Sequence, residues 1–150
     1  MRIYLDVCCL NRPYDDQTQD RIHLEAEAVI SILRHVEQGY WIWVSSGIVN
    51  YEVGRIADQE RLQRLSSLIR YASEFVVVDE NVRDRAADIQ NSFGIKSYDA
   101  FHIACAEKAD ADVFLSTDDK LIRAAKRQKK AIKGGMEVEN PLTWLQSIFK

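Results

Sequence analysis

Arg2-Ile3-Tyr4-Leu5-Asp6-Val7 is a short apolar run that ends in an acid, the pattern of a strand entering a core from the start of the chain. Outward from it the pattern repeats. Tyr40 to Val44, rich in aromatic and β-branched residues, reads as a second strand with Ser45-Ser46-Gly47 as its exit. Phe75-Val76-Val77-Val78 reads as a buried third strand, Asp112-Val113-Phe114-Leu115-Ser116 as a fourth, and Met136-Glu137-Val138 as a short fifth after the break at Gly134-Gly135.

Helical spacing fills the intervals. Ile22, Ala26, Val29, Ile30, Leu33 and Val36 share one face, and Gly39 closes that helix. A helix starts directly after Gly47 and carries Glu52; Leu62, Leu65, Ser66, Leu68 and Ile69 continue a helical pattern. Val82, Ala86, Ile89 and Phe93 form another, stopped by Gly94. Ser97 is expected to cap a helix through Ala100, Phe101, Ile103, Ala104 and Ala106, and a further helix is expected from about Asp118 to Lys126. Asn140-Pro141 places a capping residue before a first-turn proline, so the tail reads as helical.

Strands alternating with helices imply parallel pairing, because parallel neighbours need right-handed helical crossovers. The expected fold is therefore α/β: three layers, α/β/α, around a central, mainly parallel sheet of four to five strands. With 150 residues and 47% hydrophobic content, one domain spanning 1–150 is expected. No run of about 18 apolar residues occurs and the start lacks a secretory pattern, so a cytoplasmic protein with no membrane segment is expected. Cys8, Cys9 and Cys105 have neither disulfide nor zinc-ligand spacing and read as buried reduced thiols. A net charge of -3 argues against bulk coating of nucleic acid but is compatible with a local basic rim.

In such sheets functional groups collect beyond the carboxyl ends of the strands. Asp6 terminates the first strand, Glu52 lies on the helix after the second, Asp99 opens the helix after Ser97-Tyr98, and Asp118 follows the fourth strand. One such acid alone is a turn former or cap; four delivered by one architecture read as a site. Gathered carboxylates repel one another unless a cation offsets their charge. With no Cys or His set nearby, the hard cations Mg²⁺ or Mn²⁺ suit them, and a phosphodiester is the natural substrate.

Weaker signals surround these four. Arg12, Lys96, Lys120 and Arg123 are candidates to hold flanking phosphates, the last two within a basic run that continues through Lys126, Arg127, Lys129, Lys130 and Lys133. The run's default reading is a solvated helix face. Asp119 reads as dipole compensation, Asp15-Asp16 and Asp110-Asp112 as turn residues, and Trp41, Trp43 and Trp144 as core. His102 shares a helix face with Asp99 and reads as a hydrogen-bonded structural histidine; His23 and His35 read as surface residues.

Tyr4-Leu5-Asp6, Asn50-Tyr51-Glu52, Tyr98-Asp99-Ala100-Phe101-His102-Ile103-Ala104 and Leu115-Ser116-Thr117-Asp118-Asp119-Lys120-Leu121 together resemble the PIN-domain family, in particular the VapC-type toxin ribonucleases of bacterial toxin–antitoxin pairs. The resemblance covers nearly the whole chain. It implies metal-binding, catalytic roles for Asp6, Glu52, Asp99 and Asp118, an RNA substrate, a small inhibitory antitoxin protein and a homodimer. It also implies that Ser116 supports the acid two places later. Cys8-Cys9 departs from the pattern, since many relatives carry a hydroxyl there, and the change removes a hydrogen bond that would support the metal ligands. The alternative reading is a non-catalytic RNA-binding or protein-binding module on the same fold. A phosphatase is disfavoured because Cys8 stands where a second Asp is needed.

Overall fold

Ile3, Tyr4 and Leu5 are buried on both faces of their strand, so a partner is needed on each side. In the computed structural model, which describes residues 1–149, strand β1 (Arg2–Leu5) pairs in parallel with β2 (Ile42–Ser46) and with β4 (Val113–Leu115). The register sets Ile3 beside Trp43 on one flank and Val113 on the other. Strands β3 (Glu74–Val76) and β5 (Glu137–Glu139) complete a five-stranded, all-parallel sheet in the order β3-β2-β1-β4-β5. This is the α/β/α architecture expected from the alternation of elements.

The first two crossovers run outward from β1 on one side. Helices α1 (Val7–Asn11) and α2 (Asp20–Glu37) link β1 to β2, and α3 (Gly47–Gly54) and α4 (Gln59–Leu68) link β2 to β3. Helices α5 (Glu80–Phe93) and α6 (Ser97–Lys108) then return the chain across the sheet to β4. From there α7 (Asp119–Arg127) leads to β5, and α8 (Pro141–Ile148) folds back against α2. Right-handed crossovers running in opposite directions cover opposite faces of the sheet.

The punctuation residues act as their chemistry dictates. Gly94 ends α5 at φ 68°, a left-handed conformation that costs glycine little. Asn140 accepts the amides of Leu142 and Thr143, and Pro141 opens α8. Strand ends shift by a residue or two, and three differences have a physical reason. Lys96, not Ser97, is the N-cap of α6, and Ser97 is already helical. The second strand starts at Ile42, because Tyr40 and Trp41 are spent on the turn after α2, and it runs on to Ser46. The third spans Glu74 to Val76 and is an edge strand; Phe75 is 52% and Val77 66% exposed, against the reading of a buried run. A position at the margin of the sheet removes the cover that a central strand would have.

Trp43 and Trp144 are fully buried and Trp41 packs edge-on against Trp144, so the tryptophans are core. His23 is exposed, whereas His35 is half-buried, its ring stacked on Trp41 and Nδ1 held by the Ser31 carbonyl. Cys9 and Cys105 are buried free thiols; Cys8 is half-buried.

Candidate active site

Because β1 lies between β2 and β4, successive connections leave it in opposite directions, and a crevice opens beyond the carboxyl ends of β1 and β4. Asp6 is the first residue after β1, and Asp118 follows β4 as the N-cap of α7, its Oδ1 accepting the amides of Lys120 and Leu121. Asp99 occupies the first turn of α6, and Glu52 the second turn of α3, which starts where Ser46 accepts the Val49 amide.

Ser116 ties the two strand exits together. Its hydroxyl donates to Asp6 Oδ2 at 2.9 Å and accepts the Asp118 amide at 3.1 Å. The hydroxyl thus supports Asp118, as the resemblance implies, through that residue's backbone, and it braces the Asp6 carboxylate as well. Cys8 Sγ lies 3.4 Å from the same oxygen and accepts the Thr117 amide at 3.3 Å. With the Ser116 proton spent on Asp6, the thiol is the donor of that contact, and all three bonding directions of the hydroxyl are filled. Cysteine at this position therefore keeps a contact to the acid's support, a weaker one than a hydroxyl would give.

A buried chain of hydrogen bonds fixes Glu52. His102, with no exposed surface, places Nε2 2.5 Å from Glu52 Oε1 and 3.6 Å from Asp6 Oδ1. Its Nδ1 is 2.7 Å from the Tyr4 hydroxyl, which is 2.7 Å from Ser46 Oγ. In the neutral ring with Nε2–H donating to Glu52, Nδ1 accepts from Tyr4, and Tyr4 accepts from Ser46. Burial pulls the histidine pKa down, but the Glu52 hydrogen bond and the charges of Asp6, Glu52 and Asp99 outweigh it and leave it raised. His102 is thus the hydrogen-bonded structural histidine expected; its partner Glu52, 50 residues away, could not be read from spacing.

Asp99 feels the whole cluster. Its carboxyl is pushed up to about 6, first by burial and then by the charges of Asp6 and Asp118, with Glu52 adding and His102 opposing. The four acids therefore share one electrostatic environment. Carboxylate oxygens in mutual repulsion are the donor chemistry of a hard divalent cation, so the residue types fit Mg²⁺ or Mn²⁺. The spacing is open: among the described residues, no three His, Cys, Asp or Glu side chains close to a ready chelate. Glu52 is held by His102.

Beside the acids lies a cavity of about 360 Å³ that Asp99 and Asp118 line together with Lys96, Lys120, Arg123 and Arg127. Three of the four weak candidates for phosphate contact thus border the acids, and Arg127 joins them. Positions 120, 123 and 127 recur at the i, i+3, i+7 spacing of one helix face, a signal that would have separated them from the rest of the basic run. Lys126, one residue off, pairs instead with Glu139. Arg12 is bound to Asp15 and to the buried Glu25, away from that cavity. Asp119 is taken by both guanidinium nitrogens of Arg21. Among the described residues, no helix is long and apolar enough to cross a membrane.

Comparison with known proteins agrees with this fold. A model of the PIN domain matches residues 3–127. Among solved structures, VapBC2 from Rickettsia felis, bound to a DNA fragment from its promoter, is similar with a TM-score of 0.58 at 14% identity, over 93% of this chain and 98% of that one. No curated protein matches the sequence. The family match spans residues 3–127, well over half of the chain and all four acids, so the chain belongs to the PIN-domain family.

Proposed function

We propose that the chain is a Mg²⁺- or Mn²⁺-dependent endoribonuclease, the toxin of a toxin–antitoxin pair, with Asp6, Glu52, Asp99 and Asp118 as the acids that hold the cation. What supports the reading is a series of contacts running through the four: His102 lies 2.5 Å from Glu52 and 3.6 Å from Asp6, Ser116 joins Asp6 to the backbone of Asp118, and Asp118 lines one cavity with Asp99. The bound cation would supply charge that offsets the acids and stabilises the phosphate oxygens as negative charge builds. Ser116 fixes Asp6, His102 fixes Glu52, and a carboxylate that the cation leaves free orients the attacking water. Water adds to phosphorus, giving a proton to that carboxylate, as the bond to the leaving ribose oxygen breaks and that oxygen takes a proton from solvent. Lys96, Lys120 and Arg123 steer the flanking phosphates, a role for which Arg12 is poorly free.

The test is cleavage of single-stranded RNA by the purified chain with Mg²⁺, with Mn²⁺ and with chelator. Cleavage should require the cation and fall at least a hundredfold in Asp6→Ala and Asp99→Asn. Cleavage indifferent to chelation and to both substitutions overturns the proposal. The open spacing of the acids and the Glu52–His102 bond favour a second reading, a binding module without turnover. Salt-dependent RNA binding with no metal-stimulated cleavage would support that one. The similarity to a VapBC structure motivates the antitoxin partner. It is tested by co-purification with the product of a short adjacent reading frame, and the proposed cytoplasmic homodimer by light scattering.

A further inference from the structure

Two tyrosines that come from distant segments meet at the rim of the acid cluster. Tyr51 immediately precedes Glu52 and Tyr98 immediately precedes Asp99. Their ring centroids are 5.8 Å apart with planes tilted by 59°, and the residues are 49% and 42% exposed. Arg55, the C-cap of α3, donates to the Tyr51 hydroxyl at 3.0 Å and sets its guanidinium 5.7 Å from the ring centroid. Neither tyrosine lines the basic cavity, to which Asp99 itself contributes. Tyr71 and Phe75 are more exposed, but neither adjoins one of the four acids in the chain.

We propose that Tyr51 and Tyr98 form a stacking platform for one unpaired RNA base next to the phosphate that enters the acid cluster. The proposal rests on the ribonuclease reading and adds the substrate's form to it. A strand that reaches Asp99 meets the cationic side chains lining the same cavity, suited to its phosphates, and next to Asp99 and Glu52 in the chain it meets two exposed rings, suited to a base. Stacking on tyrosine accepts any base, because every base has a π-face. A duplex cannot use the platform, since its bases already stack on one another within the helix. Arg55 holds the Tyr51 ring in place before RNA arrives, which lowers the ordering cost of stacking, and its charge favours the same occupant. The platform thus selects single strands and loops, and it acts on binding rather than on bond cleavage.

The experiment follows single-stranded oligoribonucleotides carrying 2-aminopurine at successive positions, with chelator present for binding and with Mg²⁺ or Mn²⁺ for cleavage. On the wild-type chain, emission should be quenched at one position, the signature of stacking. Tyr51→Ala and Tyr98→Ala should each abolish that quenching, weaken single-strand binding roughly tenfold and raise KM with kcat nearly unchanged. Tyr51→Phe and Tyr98→Phe keep a ring and should retain most of the quenching; duplex affinity should be the same in all five proteins. Alanine variants that bind and quench like wild type overturn the platform, while metal-dependent cleavage by wild type leaves the ribonuclease reading standing. Tyrosine-dependent quenching without any cleavage does the reverse. Wild-type protein that binds no oligonucleotide, or binds with no quenching anywhere, overturns the platform. So does a dimer in light scattering that either alanine variant dissolves, because the rings then serve a protein interface.

Discussion

A carboxylate taken out of water, and then set among other carboxylates, is costly to ionise, and Asp99 is where that cost falls. Its pKa stands at about 6 in the folded chain against an ordinary 3.8. As pH rises through that interval the unfolded chain loses this proton first, so folding stability drops between about pH 4 and 6 and stays lower above. Asp99→Asn should therefore raise the melting temperature of the cation-free protein at pH 7 and flatten that part of its pH profile, even as cleavage is lost. Added Mn²⁺ should stabilise wild type and leave the variant unmoved; scanning calorimetry with and without chelator checks both. A variant no more stable than wild type would mean that burial and repulsion do not penalise the ionised Asp99. The acids themselves were legible in the sequence, because each follows a strand or sits in the early turns of the next helix. The braces were not: Ser116 meets Asp6 across 110 residues and His102 meets Tyr4 across 98, and no local period encodes such pairs.

Helix α7 does two jobs on two faces. Leu121, Ile122, Ala124 and Ala125 are buried, while Lys120, Arg123 and Arg127 border the cavity beside Asp99 and Asp118. Arg123→Ala and Arg127→Ala remove cavity charge without touching the buried face. Each should weaken single-strand binding and lessen the slope of log affinity against log salt by about 0.7 for every phosphate that is no longer neutralised. The corresponding Lys126→Ala, which gives up only its pair with Glu139, should leave the slope unchanged. Titrations across a range of salt concentrations decide this, and equal slopes for all three would make the face a merely solvated one. At this scale the sequence reveals more about element type than about exposure. Period and capping chemistry located α5, α7 and α8 to within a residue or two. Whether Phe75 faces core or solvent depends on strand order, which local patterning does not contain.

Across the molecule, a single buried carboxylate links four segments. Glu25 on α2, almost without exposed surface, accepts from Arg12, Arg21 and the Asn140 side chain, and Arg21 in turn grips Asp119 at the start of α7. Glu25→Ala leaves the Asn140 amide unpaired in the interior and two guanidinium groups short of a partner. Because both arginines keep some contact with water, the expected loss is moderate, about 1–3 kcal/mol in chemical denaturation. A change below a few tenths would show the cluster to be ornamental. The same cluster explains why Arg12 was a poor candidate for phosphate contact: its partner lies 13 residues on, inside the fold.

The family match ends at residue 127, yet Asn140 lies beyond it and reaches back to Glu25. The tail is consequently no appendage but a strut, coupled through Glu25 and Arg21 to the turn that presents Asp118. Clipping the chain after Glu139 would cut that strut at one end, and slack introduced there would be passed along to the neighbourhood of the acids, far in sequence from the cut.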